Sequence, residues 1–291
     1  MCEQEAMAMT SKSSHNSISD RNYQMTVSGK RLLSLSKRLF AVEAPRIYYL
    51  VIPKCGCTYV KNILWYVSTG HMFPNQRRVH DADLQFLRAP DIEQDAASII
   101  SAPFAFTVLR NPIDRFLSLY FDKVVGAGRS EYVPLASTLV KQRGLIADPT
   151  SLSQHQFNLE CMIDWIEENL VTEIDLKPEA HWTPQSFRLD VISAFNLCVI
   201  DIEYLGPAME NMLSPSFPEI RRVLSSIDFN RSERADMKRL VLTSQLRRRI
   251  NDVYKLDRLM YRATKSLWIT IGQENNAQDS FPRFLDLGIR A

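Results

Sequence analysis

At 291 residues and 45% hydrophobic, the chain is long enough to bury a large core in one or two domains. Its formal net charge of +2 supplies no global field for nucleic acid or a membrane surface, so any basic site is local. Five scattered cysteines (Cys2, Cys55, Cys57, Cys161 and Cys198) argue against a disulfide framework and suit a reducing compartment, and the Cys55/Cys57 pair has no partner cluster at zinc spacing, so no metal is expected.

Residues 1–27 are polar and Ser-rich, and are expected to be disordered or a loosely attached arm. They show no basic start followed by an apolar core, so no secretory signal is read there. Residues 29–42 place Leu32, Leu35, Leu39 and Val42 on one face, which predicts an amphipathic helix on the domain edge. Residues 47–52 (IYYLVI) form a continuous apolar run of β-formers, the pattern of a strand buried in a parallel sheet. Pro53 ends it, because proline cannot donate to a central ladder. Gly56 supplies a turn residue, and from Thr58 the residues Val60, Ile63, Leu64 and Val67 fall at helical spacing. The unit is strand, tight turn, helix, with Lys54 and Thr58 in the turn. A helix N-terminus offers unpaired N–H groups and positive dipole, so this turn can seat a phosphate.

A loop over 69–78 leads to His80 and to a short predicted helix over 80–87, with Asp81 or Asp83 at its cap. Residues 104–109 (FAFTVL) repeat the buried-strand pattern and end at Arg110. Asn111 is a good cap, Pro112 suits the first helical position and Asp114 suits the first turn. Residues 126–149 are loop-rich and are expected to form an acceptor-facing insertion or lid. A helix is predicted over 153–171, irregular chain over 177–187, a third strand over 196–205 closed by Gly206 and Pro207, and a short helix over 208–213. Residues 236–265 carry one long helical pattern, and a polar tail runs over 273–291. No apolar run approaches the roughly 20 residues of a membrane span. Strands alternating with helices imply an α/β fold, a central parallel sheet flanked by helices, in a single domain over 28–272. Ligands of such sheets sit at the C-terminal strand ends, where Lys54 and Arg110 both fall.

The two turns carry a specific resemblance. Residues 53–61 (PKCGCTYVK) resemble the 5′-phosphosulfate loop of sulfotransferases, closest to the PK-x-x-CT-x-x-K form of the Golgi-type carbohydrate enzymes and their bacterial relatives. Residues 109–120 (LRNPIDRFLSLY) resemble the 3′-phosphate motif R-x-P-x-x-R-x-x-S-x-Y of the same family. HWTPQ (181–185), IEYLG (202–206) and INDVYKLD (250–257) are similar to later landmarks, so the likeness spans roughly 46–262. It implies a P-loop-like three-layer fold and 3′-phosphoadenosine-5′-phosphosulfate as sulfuryl donor, with no metal. It also implies a carbohydrate or glycolipid hydroxyl as acceptor, while the near-neutral net charge leads to no expected nucleic-acid partner. Carried over onto this chain, the donor site is Pro53, Lys54, Cys55, Gly56, Cys57, Thr58, Tyr59, Arg110 and Ser118. The catalytic pair is Lys54 with His80 as general base. With no anchor segment, a soluble cytoplasmic enzyme is expected.

The chemistry fits those residue types. A donor with phosphates at both ends needs two cationic, N–H-rich cradles, and an arginine fork suits a phosphate. A lysine beside the leaving phosphate can neutralise charge that develops there. A base is also needed, and His71, His155 and His181 compete with His80; His181 ranks second because Trp182 beside it could stack on a sugar. Cys57 reads as a packed residue, and Arg115 as more often structural. Two alternatives remain: a catalytically silent nucleotide-binding module, and a nucleotide kinase, which is disfavoured because no G-x-x-x-x-G-K-[ST] occurs.

Overall fold

The structure is a computed structural model, and it describes residues 39–43, 45–80, 98–125, 133–172, 181–227, 237, 240–273, 281–283 and 287. Among these, four short strands form one sheet. β1 (Leu39–Val42) and β2 (Ile47–Leu50) pair antiparallel across a tight connection, with Leu39 opposite Leu50. β2 pairs parallel with β3 (Phe104–Leu109), and β3 parallel with β4 (Cys198–Asp201), in the order β1-β2-β3-β4.

Parallel pairs require crossovers, and helices supply them. α1 (Cys57–Thr69) lies between β2 and β3. α2 (Pro112–Leu119), α3 (Val133–Arg143), α4 (Leu152–Thr172) and α5 (Leu189–Ala194) lie between β3 and β4. α6 (Leu205–Leu213), α7 (Ile220–Ser226), α8 (Ser244–Val253) and α9 (Lys255–Gln273) follow β4. Every residue of β2 and β4 is buried, so both faces of the sheet are covered, as expected of an α/β protein.

The core has two parts. One surrounds the sheet, where Tyr49 stacks on Phe106 (centroids 5.0 Å apart) and α1, α6 and α9 contribute Ile63, Met209 and Trp268. The other joins α2, α4 and α8 through Phe116, Trp165, Ile166 and Leu246. Each such side chain contributes about 1.5–3 kcal/mol on burial. The outer edge of β4 is closed from two sides: Trp268 Nε1 donates to the Val199 carbonyl (2.8 Å), and the Val199 N–H donates to the Pro282 carbonyl (3.0 Å).

Several expectations change. Residues 39–42 are strand and not the end of an amphipathic helix: Leu39, Phe40 and Val42 fit both periods, and the open edge of β2 gives them ladder partners. The predicted loop over 126–149 contains α3. The third strand stops at Asp201, whose carboxylate caps a 3₁₀ turn (Ile202–Tyr204), and Gly206 and Pro207 lie inside the first turn of α6. The long helix over 236–265 is two helices broken at Tyr254, whose hydroxyl donates to the Trp182 carbonyl (2.7 Å). A one-residue break without Gly or Pro leaves the apolar period almost unchanged, so periodicity did not register it. The predicted helix over 80–87 lies outside the described residues, apart from His80.

Candidate active site

The turn after β2 is built on two left-handed residues, Lys54 (φ 68°) and Gly56 (φ 76°). A non-glycine residue there costs roughly 1–2 kcal/mol, and such strain clusters at functional sites. Gly56 is the N-cap of α1 and brings no side chain to cap it, and the first turn holds no acidic residue. The first backbone bond of the helix runs from Val60 N–H to Gly56 C=O (3.1 Å), so the amides ahead of Val60 have no intrahelical acceptor. An uncapped N-terminus beside a lysine fits a phosphate group. A Cβ on Gly56 would lie 3.0 Å from Leu205 Cδ2, so α6 closes the space behind the turn. Gly56→Ala is expected to cost about 1–2 kcal/mol from backbone strain alone, read as a lowered denaturation midpoint with unchanged slope; an unchanged midpoint would show the turn relaxes freely.

Asp122 faces Lys54. α2 continues into one π turn (Tyr120–Val124), closed by Val125 N–H to Tyr120 C=O (3.0 Å). This turn carries Asp122, whose Oδ2 lies 2.7 Å from Lys54 Nζ and 3.3 Å from Lys123 Nζ. Burial pushes the Asp122 carboxyl up, but the two ammonium groups outweigh it and hold it below the usual carboxylate range. The Lys54 side chain is 14% exposed, so it is not a solvated surface lysine.

His80 is set by the first turn of α1 and by a 3₁₀ turn (Gln76–Arg78). The buried Asn62 amide donates to the Thr58 carbonyl (2.8 Å) and to the Gln76 carbonyl (2.9 Å), tying the 3₁₀ turn to the helix. Val79 is fully buried and fixes the next residue. His80 Nε2 lies 2.8 Å from Thr58 Oγ1 and 3.9 Å from Cys57 Sγ, and Nδ1 lies 3.1 Å from Lys61 Nζ. An ammonium can only donate, so Nδ1 accepts and the neutral ring carries its proton on Nε2. Burial of the ring, then Lys61, Lys123, Lys54 and His181, pull the imidazole down to about 4. The residue as a whole keeps exposed surface, yet the cationic neighbours act in the same direction as burial and hold the ring neutral.

The second turn follows β3. Asn111 caps α2 by accepting from Ile113 N–H (2.9 Å), with Pro112 at the first position and Asp114 in the first turn, as the sequence predicts. Arg110 Nη1 donates to the Lys54 carbonyl (3.0 Å), and Arg115, 3% exposed, donates through Nε to the Pro53 carbonyl (3.1 Å). Ser118 lies one helical turn beyond Arg115 and one turn before Asp122, on the face of α2 that runs along the first turn.

Beneath both turns lies Gln185. Its Oε1 accepts from Cys55 Sγ (3.2 Å) and from the Arg110 N–H (3.0 Å), and its Nε2 donates to the Arg110 carbonyl (2.9 Å). Asp257, in the first turn of α9, accepts from the Gln185 N–H (2.7 Å) and the Ser186 N–H (2.8 Å). Burial drives the Cys55 thiol up to about 12, which leaves it a protonated donor and no nucleophile.

Residues 37–262 match the model of the sulfotransferase family. The chain belongs to the sulfotransferase family. No curated relative and no solved structure matches it significantly. In this sulfotransferase the turn 53–59, Arg110 and His80 meet at the C-terminal ends of β2 and β3. His181 is close enough to act on the charge of His80. Trp182 is buried edge-on against Trp165 (centroids 5.1 Å apart), so it does not stack on a sugar. Reading the sequence missed Asp122, Lys123 and the Gln185–Asp257 pair. The signals were present in the DK following the second motif and in the HWTPQ and INDVYKLD segments, but nothing local assigns those residues partners. Among the described residues no cluster of His, Cys, Asp and Glu is arranged to hold a metal ion, and no helix is long and apolar enough to cross a membrane.

Proposed function

We propose that this sulfotransferase moves a sulfuryl group from 3′-phosphoadenosine-5′-phosphosulfate to a hydroxyl of a carbohydrate or glycoconjugate. The observation that carries this reading is the Arg110–Lys54 contact: it puts a guanidinium fork beside an uncapped, lysine-bearing helix N-terminus, within the span of one nucleotide phosphorylated at both ends. The donor supplies the sulfuryl group and a stable leaving group, adenosine 3′,5′-bisphosphate. The amides of Gly56, Cys57, Thr58 and Tyr59 with the Thr58 hydroxyl hold the 5′ end, and Arg110 with Ser118 holds the 3′-phosphate. Lys54 neutralises charge on the bridging oxygen as the S–O bond to the 5′-phosphate breaks and its electron pair departs with the phosphate. The acceptor oxygen forms the new S–O bond and its proton passes to His80. When Lys61 turns to the donor phosphates, Nδ1 is left with a lone pair for that proton.

Calorimetry with adenosine 3′,5′-bisphosphate, 5′-AMP and ATP, followed by transfer of labelled sulfate to a panel of oligosaccharides, tests the reading. Binding without transfer to any acceptor would favour a silent nucleotide module, and preferred ATP binding would favour a kinase. Arg110→Ala is expected to weaken bisphosphate binding by roughly 10–100-fold, the range of a charge-assisted contact, and to erase the preference over 5′-AMP. Retained preference would remove Arg110 from the 3′-phosphate pocket.

A further inference from the structure

We infer that Gln185 is the positioning residue that sets the separation of the two anion-binding turns, and so the length of nucleotide they accept. The inference rests on the donor reading above. One side chain, 1% exposed, touches both turns: Oε1 takes the Cys55 thiol of the first and the Arg110 N–H of the second. Nε2 returns a bond to the Arg110 carbonyl, so both backbone groups of Arg110 pair with a single amide. The ladder of β3 ends at Leu109, and Gln185 continues it by one residue where no strand partner exists. Arg110 therefore leaves the sheet in one orientation, with its guanidinium aimed at the Lys54 carbonyl.

Gln185 is itself held from behind. Asp257, also 1% exposed, receives its N–H at 2.7 Å and the Ser186 N–H at 2.8 Å, while Gln185 Nε2 lies 3.4 Å from the same carboxyl. The break at Tyr254 puts Asp257 in the first turn of α9, where the helix dipole favours a carboxylate. A buried amide and carboxyl add little to stability compared with well-packed apolar residues of like volume. Here the Gln185 amide is spent on the two turns and the Asp257 carboxyl on the backbone that carries Gln185, which is what preorganising a site requires.

The test compares wild type with Gln185→Leu, which keeps volume and removes every amide bond, and Gln185→Asn, which keeps the amide one methylene short. Calorimetry reads the affinity ratio of adenosine 3′,5′-bisphosphate to 5′-AMP, and scanning calorimetry reads Tm. We expect both variants to cut that ratio at least tenfold, with 5′-AMP affinity changed less than the ratio. A lowered Tm with an unchanged ratio would make Gln185 a stability residue and overturn the inference, as would failure of both variants to fold. A wild-type ratio near one would instead sink the donor reading itself, so the two failures are distinguishable.

Discussion

Lys54→Ala is expected to lower kcat by about 10²–10³-fold, the cost of removing one well-placed electrostatic donor, while affinity for adenosine 3′,5′-bisphosphate changes only a few-fold. The lysine carbonyl still receives Arg110, because that bond uses the backbone. The left-handed backbone at position 54 is as strained for alanine as for lysine, so the turn keeps its conformation cost. Asp122 loses one partner at 2.7 Å but keeps Lys123 at 3.3 Å, and no buried carboxylate is left unpaired. The loss should therefore fall on the chemical step, because charge grows on the bridging oxygen only as the sulfuryl group departs. Steady-state kinetics beside calorimetry on the product nucleotide checks it. Weakened nucleotide binding with kcat unchanged would instead mean that Lys54 grips ground state and transition state alike.

His80→Ala is expected to lower kcat by roughly 10²–10⁴-fold, the usual worth of a positioned base, with nucleotide binding intact. The pH profile gives the sharper reading. In the donor-free protein, ring burial and the cations Lys61, Lys123 and Lys54 lower His80 to about 4. Any acid limb that His80 imposes on kcat/KM should therefore fall well below its ordinary value of 6.5. The donor brings negative charge to the same lysines, so the corresponding limb on kcat should lie higher. Both limbs should vanish in His80→Ala. The same shift has a stability consequence of definite sign: with the folded value below the unfolded one, the unfolded chain binds the proton first, and stability is lost as pH falls from 6.5 towards 4. A fully active His80→Ala would move the base to His181.

Legibility followed the range of the interactions. β2 and β3, the turn at Pro53 and Gly56, and the Asn111–Pro112 start of α2 were readable because each rests on apolar runs and caps within a few residues. β1 was not, because its four residues are strand only through the exposed edge of β2. The break at Tyr254 was not, because the hydroxyl that marks it bonds a carbonyl 72 positions away. In the site, Lys54 and Arg110 stand in motifs that announce them. Asp122 is 68 positions from the lysine it holds, and Gln185 is 75 from the arginine it seats. Those separations are closed by tertiary packing, and no local pattern encodes them.

The carboxylate on the π turn makes Lys54 a contested cation. Lys54 starts with a resident anion at 2.7 Å, so any visitor must displace it before gaining the ammonium. Chloride or a singly charged organic acid exchanges one weak attraction for another and gains almost nothing. A donor of the kind proposed, with several formal charges and a second anchor at Arg110, would overcome the incumbent. Discrimination against the small anions that crowd any cell is then built into the chain's own side chains, through rivalry at one nitrogen atom.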